Sequence, residues 1–392
     1  MRTSKFRAKR FSPIQLLAAV LVTLLVTVLA LFLAAWLTIG PEGLTLLEGM
    51  ALVNTRFVGE YEKEKVLDSA MSGMISGLGD RWSYYLSPER YQAEQERRAN
   101  SYVGIGVTVS YPEGEEGLYV EAVAENGPSA AAGLRPGDTI LAVGEVRLAG
   151  EDRSRGTELI QGEAGTQVEL LLRGGGGEER TVSVTRGRVE EHPVSYALLA
   201  DGTGLITIQN FNSRCADEAI AAVDDLREQG AERLVFDVRN NGGGFLDELT
   251  RLLDYLLPEG PIFRSQTKAG RETVVSSDAG CVEMPMAVLV NENTYSAAEL
   301  FAAELQEWDW GEVVGVQTFG KGFSQQTFPL LNGGAVNLST AKYFTGQGNC
   351  LIGVGLTPDR VVELDEEQAA KLRARILDPA EDPQLQAAIA AA

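Results

Sequence analysis

Histidine and cysteine are both scarce in this chain of 392 residues, which has one histidine, His192, and three cysteines, Cys215, Cys281 and Cys350. The cysteines are too scattered for the ligand spacing of a zinc site, so the sequence predicts no bound metal. Two interpretations of the thiols stay open, a disulfide between Cys281 and Cys350 or three small buried thiols. His192 lies beside Pro193 in a polar connector. A serine-based reaction would therefore need a base other than histidine.

Positive charge is also in short supply, since 34 Lys and Arg residues stand against 55 Asp and Glu residues, for a formal net charge of −21. Because nucleic-acid phosphates are bound by lysine and arginine, this balance argues against a nucleic-acid partner. The glycine-rich segments GGGF and FGKG lack the flanking pattern of a phosphate loop. The sequence therefore predicts no cofactor.

One stretch of the chain lacks charge altogether. Residues 11–41 are uncharged and residues 14–39 are almost wholly apolar, which exceeds the roughly 20 residues needed to cross a bilayer. Lysines and arginines within residues 1–10 place the N-terminus in the cytoplasm by the positive-inside rule. We therefore expect a single-pass cell-membrane protein with residues 1–40 as tail and anchor and the remainder extracytoplasmic. A cleavable signal peptide is the alternative, although its apolar core usually spans about 7–15 residues.

Two regions of different pattern follow the apolar stretch. Residues 41–100 are predicted to be mainly helical, with a helix from Glu42 to Tyr85 and a short helix that Ser87 would cap. Residues 101–188 contain short β-runs broken by glycine and proline, and Gly174 to Gly177 have the composition of a hairpin turn. This layout is typical of a small, separate β-rich domain.

The remaining residues show a different alternation. Strand and helix patterns follow one another through residues 189–366, which indicates an α/β core with parallel strands. Residues 367–392 are predicted to be a helical tail with a break at Asp378–Pro379.

Ser296 is the strongest candidate nucleophile in this core. It follows the strand-like run Ala287 to Val290 and begins a helical pattern. With Glu299 it also matches a helix capping box, which is an ordinary structural role for a serine. The two roles are compatible, because a helix start exposes N–H groups and a positive dipole end where an oxyanion would form.

Lys321, in the segment TFGKGFSQQ, is the candidate base. To accept a proton near pH 7, a lysine must have its pKa lowered by about three units from about 10.4. Burial among apolar side chains does this because it disfavours the charged form. The nearby residues that we expect to supply such walls are Val316, Phe319 and Phe323.

Gln325 is the candidate partner of the lysine. In an extended strand, residues 321, 323 and 325 share a face. The side-chain carbonyl of Gln325 would orient a neutral amine without adding a charge that raises its pKa. Gln326 is the second choice.

The order of the motifs resembles the carboxy-terminal processing peptidases, also called tail-specific proteases. The similarity covers most of the chain after the apolar stretch. It implies an α/β protease core of the ClpP/crotonase-like class with an inserted PDZ domain, an N-terminal helical segment and one transmembrane helix. It also implies a serine-type endopeptidase. The matching motifs are SGMISGLGDRWSYYLSPE, GIGV with GPSAAAGLRPGDTILAV, FDVRNNGGG, SAAELFAAEL, TFGKGFSQQ and LIGVGLTPD.

The resemblance also implies roles for individual residues. Ser296 occupies the family's nucleophile position, and the backbone N–H groups of Gly243 and Ala297 would form the oxyanion hole, with Gly244 as the alternative to Gly243. The loop Gly104, Ile105, Gly106 and Val107 resembles the carboxylate-binding loop of PDZ domains, which captures the C-termini of partner chains.

Two departures from the family pattern stand out. Gly242 replaces the proline of the glycine turn, and the family's alternating serine and alanine here read Thr294-Tyr295-Ser296-Ala297-Ala298-Glu299. Neither change removes a catalytic group, so we expect them to alter rate or substrate preference.

The sequence leads to a membrane-anchored endopeptidase that acts on proteins with apolar C-termini. One rival is a catalytically silent membrane-tethered PDZ scaffold, against which the joint presence of Ser296, Lys321 and Gln325 argues. A second is a Ser-Lys amidase acting on cell-wall peptides or lipoproteins. The oligomeric state, a homo-oligomer included, stays open.

Overall fold

The computed structural model describes residues 12–392 except residues 113 and 115. The chain divides into two compact units, residues 1–67 and 68–392. The basic residues on which the predicted orientation depends, within residues 1–10, lie outside the described residues.

The first unit is dominated by one interrupted helix. Helix α1 (Pro13–Arg56) begins at Ser12, whose hydroxyl accepts from the Gln15 amide at 3.3 Å. Residues 13–34 are long and apolar enough to span a membrane, and an 18-residue window within them has a mean hydropathy of 3.0. The helical backbone breaks at Gly40, where φ is +66° and a proline follows.

The prediction of one helix from Glu42 to Tyr85 is wrong. Helix α1 ends at Arg56, and a second helix, α2 (Lys63–Ser76), ends where glycines follow, one of them Gly79 with φ +68°. Strand β1 (Tyr84–Leu86) comes next. Helix α3 (Pro88–Arg98) then begins as predicted, since the Ser87 hydroxyl accepts from the Arg90 amide at 3.5 Å.

The predicted β-rich region is present. Its core is a single apolar cluster that includes Leu118, Ile140 and Leu170. Gly174 donates to the carbonyl of Glu178 at 2.9 Å, which confirms the predicted hairpin turn. In chain order the elements are β2 (Ser101–Gly104), β3 (Val107–Ser110), β4 (Leu118–Val123), α4 (Pro128–Ala131), β5 (Thr139–Val143), β6 (Val146–Arg147), α5 (Gly156–Ile160), β7 (Gln167–Arg173), β8 (Glu179–Thr185) and β9 (Gly187–Glu190).

The strands of this region form two sheets. The larger has the order β3-β4-β5-β7-β8, with β6 paired to β5, so β3 is an edge strand. Strands β2 and β9 form a separate antiparallel pair where the chain enters and leaves the region.

The remaining elements form the α/β core. They are β10 (Val194–Leu198), β11 (Thr203–Ile208), α6 (Cys215–Glu228), β12 (Arg233–Asp237), α7 (Leu246–Leu256), β13 (Gly260–Thr267), β14 (Glu272–Ser277), β15 (Met286–Val290), α8 (Ala297–Glu307), β16 (Glu312–Gly315), β17 (Phe323–Pro329), β18 (Ala335–Phe344), β19 (Arg360–Val361), α9 (Glu366–Arg373) and α10 (Pro383–Ile389).

The main sheet has the order β10-β11-β12-β15-β16-β19, and all its pairs are parallel except β10 with β11. Side chains of α6, α7 and α8 pack on one face in the largest apolar cluster, and Leu385 and Ala388 of α10 pack with Val235 and Leu289 in a second cluster. The predicted α/β core is therefore confirmed, and the C-terminal tail is part of it. The tail breaks as predicted, with a short 3₁₀ turn at Pro379–Glu381 between α9 and α10.

A second, antiparallel sheet was not predicted. It has the order β1-β18-β13-β14, with β17 also paired to β18. Strands β13 and β14 were missed because their pairing depends on distant partners rather than on a local pattern. Through β18 this sheet joins the N-terminal segment at β1 to the segment that follows Lys321.

All three cysteines lie in the described part of the chain and are free. Cys215 is buried, Cys281 is half-buried and Cys350 is exposed. The structure therefore shows neither the disulfide between Cys281 and Cys350 nor three buried thiols.

Candidate active site

One cavity of about 560 Å³ brings the predicted catalytic residues together. Its walls come from α3, the turn after β12, the starts of α7 and α8, and strands β17 and β18. The predicted residues that line it are Gly243, Gly244, Ser296, Ala297, Lys321 and Gln325.

Ser296 stands in a strained backbone conformation immediately before α8. Its φ is +62° and its ψ is −125°, values that cost a non-glycine residue free energy and are found at functional sites. Its hydroxyl caps no N–H group of the helix, so the capping role is not the one it performs. The N–H of Ala297 forms no hydrogen bond with any described residue and lies at the positive end of α8.

The glycine turn after β12 packs directly on this strained serine. At Gly243, with φ +83°, an added Cβ would lie 2.7 Å from the amide nitrogen of Ala297 and 2.8 Å from Cβ of Ser296. The Gly243 N–H donates to Oδ1 of buried Asn241 at 2.8 Å, so it must break this bond before it can contact a substrate oxygen. The N–H of Gly244 has no hydrogen-bond partner among the described residues.

The two departures from the family pattern lie in contact with each other. An added Cβ at Gly242 would lie 2.6 Å from the phenol oxygen of Tyr295. A proline at position 242 and a tyrosine at position 295 would therefore compete for the same space. The two replacements are complementary.

Lys321 is partly buried, as its predicted role requires. Burial, assisted by the Arg98 guanidinium and opposed by Asp80, lowers its pKa to about 8. About a tenth of the lysine is then neutral at pH 7, which is enough to supply a base.

The apolar walls around Lys321 match the prediction only in Phe319. Its ammonium nitrogen lies 4.3 Å from the ring centroid of Trp82 and 5.9 Å from that of Tyr295. Phe319 packs against both rings. None of the three predicted side chains, Val316, Phe319 and Phe323, is in the described lining of the cavity. Tertiary contacts, which the local sequence does not encode, supply most of the apolar surroundings.

Glu299 connects the serine helix to the lysine segment. Its fully buried carboxylate accepts from the hydroxyl of Thr318, from the Gly320 amide at 2.7 Å and from the Lys321 amide at 3.1 Å. Burial raises its pKa in spite of these donors. Sequence reasoning treated Glu299 as a capping partner and missed this connection.

Tyr343 of β18 contacts the same segment. Its buried phenol donates to the carbonyl of Lys321 at 2.5 Å, and burial raises its pKa far above the usual range, so it remains a donor. Together with Glu299, it holds the backbone of Lys321 on both sides.

Gln325 lines the cavity, but it does not bond the lysine in this structure. Its amide nitrogen donates to the carbonyl of Phe323 at 2.7 Å and to the Ser339 hydroxyl at 3.1 Å. A bulge between Ser324 and Gln325 places both residues on the cavity, so the predicted alternation of 321, 323 and 325 is wrong. Gln326 is exposed and outside the described lining.

A buried ion-pair cluster supports the glycine turn from behind. The Arg239 guanidinium pairs with Asp237 at 2.6 Å and with Asp382, just before α10, at 2.7 Å. Although burial opposes it, this pairing raises the pKa of Arg239 further. The ion pairs give Asp237, Arg239 and Asp382 a structural role in this part of the core.

The predicted carboxylate-binding loop lies in the β-rich region. The carbonyls of Ile105 and Gly106 accept from Ser129 at 2.8 Å and Ala124 at 2.9 Å, while the N–H groups of both residues are unpaired among the described residues. Gly104 ends β2 and Val107 begins edge strand β3. Two free N–H groups beside a free strand edge are what peptide capture by strand addition requires.

Comparisons with known proteins identify the family. The model of peptidase family S41 matches residues 202–362, and a PDZ domain model matches residues 119–174. The chain is 31% identical over 369 residues to the "C-terminal processing peptidase, chloroplastic" of Tetradesmus obliquus, covering 86% of this chain and 77% of that protein.

Two further similarities point the same way. The "Carboxy-terminal processing protease CtpA" of Bacillus subtilis is 29% identical over 316 residues, which cover 80% of this chain and 67% of that protein. The solved structure of a photosystem II D1 C-terminal processing protease has 27% identity and a TM-score of 0.50, covering 91% of this chain and 98% of the other.

Proposed function

This chain belongs to the C-terminal processing peptidases of peptidase family S41, which are serine-type hydrolases, and from that premise we propose that Ser296 and Lys321 form its catalytic dyad. The observation that carries the proposal is their convergence on one cavity, with Ser296 strained at a helix start and the pKa of Lys321 lowered to about 8. Gln325, in the same wall, orients the amine when its carbonyl turns toward Lys321.

The proton transfers of the reaction are carried by Ser296, Lys321 and water. Neutral Lys321 takes the hydroxyl proton of Ser296 as Oγ attacks the carbonyl carbon of the scissile peptide bond. The resulting lysine ammonium gives that proton to the leaving amine, and the C–N bond breaks to leave an acyl-enzyme. Lys321 then deprotonates a water molecule, which attacks the carbonyl carbon of the ester. The bond from that carbon to Oγ breaks, the lysine ammonium returns the proton to Oγ of Ser296, and the carboxylic acid product leaves.

The oxyanion of each tetrahedral intermediate needs N–H donors. The free N–H of Ala297 supplies one donor, strengthened by the dipole of α8. Gly243 supplies the second once its N–H leaves Asn241, and the unpaired N–H of Gly244 is the alternative. Losing one such donor typically costs about 100–1,000-fold in rate.

The PDZ domain and the apolar helix define where and on what the enzyme acts. We propose that the loop 104–107 captures apolar C-termini of protein substrates and that residues 14–39 anchor the chain in the cell membrane, with the catalytic part outside the cytoplasm. Gly106→Val should weaken the binding of a fluorescent peptide with a free apolar C-terminus, measured by anisotropy. Gly165→Val is the control. Like Gly106, Gly165 has a positive φ, and an added Cβ there would meet nothing within 4 Å.

The test of the peptidase proposal uses the full-length chain in detergent with an unfolded protein that ends in an apolar C-terminus. Wild type should cleave it, and Ser296→Ala and Lys321→Ala should each reduce cleavage by at least about 1,000-fold. Cleavage that survives in both variants would place the reaction elsewhere. Peptide binding without cleavage by wild type would favour the membrane-tethered scaffold.

A further inference from the structure

Three aromatic rings from distant parts of the sequence meet beside the catalytic lysine. The rings of Trp82 and Tyr295 lie 5.7 Å apart, those of Trp82 and Phe319 5.7 Å, and those of Tyr295 and Phe319 5.5 Å. Trp82 and Tyr295, which we call the aromatic seat, face the Lys321 ammonium at 4.3 and 5.9 Å.

Trp82 is fixed in this place by contacts on its backbone and ring. Its N–H donates to Oδ1 of Asp80 at 3.1 Å, and its carbonyl accepts from Asn337 at 3.1 Å. The Arg81 guanidinium lies 4.9 Å from its ring centroid and 4.8 Å from that of Phe319. These contacts hold the indole ring in its position beside Lys321.

The Lys321 ammonium has no hydrogen bond or ion pair with any residue that the structure describes. Other charged and titratable groups lie near this residue on several elements. Arg98 of α3 disfavours its positive charge and Asp80 favours it. Glu299 of α8 and Tyr343 of β18 contact the backbone of Lys321, through its N–H and its carbonyl. The rings of the aromatic seat are therefore the described groups that face the charge itself.

We propose that Trp82, assisted by Tyr295, is a positioning residue for the catalytic base: its indole face holds the Lys321 ammonium in the resting enzyme and favours the protonated amine. The reason is the negative face of the ring, which attracts a cation within about 6 Å and attracts a neutral amine far less. The inference rests on the proposed role of Lys321 as base.

The proposal fixes the direction of a pH effect. Removing the indole face removes a contact that favours the ammonium, so the lysine loses its proton at lower pH. The acid limb of kcat/KM should move down by roughly 0.4–1.5 pH units. On that limb, activity relative to the plateau should rise roughly 3- to 30-fold. If water entered the space left by a smaller side chain, desolvation of the ammonium would decrease and the acid limb of kcat/KM would move to higher pH.

The experiment measures kcat/KM against pH for the full-length chain in detergent, with an internally quenched peptide substrate. Trp82→Leu should move the acid limb to lower pH, and Trp82→Phe should move it less in the same direction. Phe319→Leu is the matched control, since Phe319 packs in the same cluster and has no described contact with the ammonium. Its acid limb should stay at the wild-type position.

The outcomes separate this inference from the proposed function. An acid limb that is unmoved or moves to higher pH in both Trp82 variants, with Lys321→Ala inactive, would overturn the aromatic seat and leave the dyad intact. If Trp82→Leu does not fold, Trp82→Phe alone decides the question. Full activity in Lys321→Ala would overturn the proposed function itself.

Discussion

The wall of the cavity that carries Ser296 and the wall that holds the Lys321 ammonium differ in the forces that build them. On the first, a buried hydrogen bond fixes the turn, as Asn241 does for Gly243, and Glu299 extends such bonds from α8 to the backbone, but not the ammonium, of Lys321. On the second, ring faces contact a charge at 4.3 and 5.9 Å without a directional bond.

This difference indicates a division of labour. Buried polar contacts have strict geometry, and leaving one partner unsatisfied costs roughly 1–3 kcal/mol, so that wall should tolerate little change. A cation over an aromatic face has a broad minimum, so the other wall should tolerate substitution and change mainly the pH dependence.

The largest effect is expected at Gly243 on the hydrogen-bonded wall. Gly243→Ala places a Cβ 2.7 Å from the nitrogen of Ala297 and 2.8 Å from Cβ of Ser296, and kcat/KM should fall by about 100- to 1,000-fold because the oxyanion site is displaced. Gly230→Ala is the control, because Gly230 has φ +90° with nothing within 4 Å. Equal losses in the two variants would mean that backbone strain alone is responsible.

A somewhat smaller loss is expected at Glu299. Glu299→Gln turns one acceptor into a donor that opposes the amide of Gly320 or Lys321, and a shift of the lysine segment should lower kcat by roughly 100-fold. KM should change little, since Glu299 is fully buried and is not among the described residues that line the cavity. Steady-state kinetics measure the effect, with Glu283→Gln, at an exposed position, as the control. An unchanged kcat in Glu299→Gln would show that the connection between the helix and the lysine segment is dispensable.

The junction of the two walls is tested by a double-mutant cycle at positions 242 and 295. Gly242→Pro should lower kcat/KM by roughly 10- to 100-fold, because the proline ring meets the Tyr295 phenol. Adding Tyr295→Ala should recover most of the loss, with a coupling of about 1–3 kcal/mol. Additive effects would mean that the two family departures are independent.

The smallest effect is expected at Glu304, a second buried carboxyl on the helix that carries Glu299. Glu304 receives one described amide, from Gly346 at 2.6 Å, and its Oε2 is unpaired among the described residues. Burial, with the neighbouring Glu307 adding to it, raises the pKa of Glu304 to about 8. The folded chain therefore binds more protons than the unfolded chain between about pH 4.5 and 8, and stability falls as pH rises through that window.

Glu304→Gln should remove this fall. Its Tm should lie above that of wild type at pH 9, by roughly 1 °C for each kcal/mol of regained stability in a chain of this size, and the difference should vanish near pH 4.5. Thermal melts at several pH values measure it. Parallel Tm curves for the two proteins would show that Glu304 does not contribute the pH dependence.

Much of the core was predictable from local pattern. Helix α8 begins directly after Ser296, as predicted, because it has a clear apolar period and follows a buried strand. The parallel sheet and the Ser87 cap follow from equally local signals, and the motif order led to the family that the comparisons confirm.

The missed features depend on contacts between distant segments. Trp82, Tyr343 and Asp382 reach the site from separate regions, and no local period marks them. The bulge that places both Ser324 and Gln325 on the cavity is likewise set by pairing with β18. The motif GLGDRWSYYLSPE includes Trp82, but its position beside Lys321 depends on the tertiary structure.

The most direct test of the Ser296–Lys321 dyad is covalent labelling of the full-length chain with a fluorophosphonate, followed by peptide mass spectrometry at pH 8. The dyad predicts one adduct, on Ser296, that forms at least about 1,000-fold more slowly in Lys321→Met. An adduct on another residue, or labelling of Ser296 at an unchanged rate without Lys321, would contradict it.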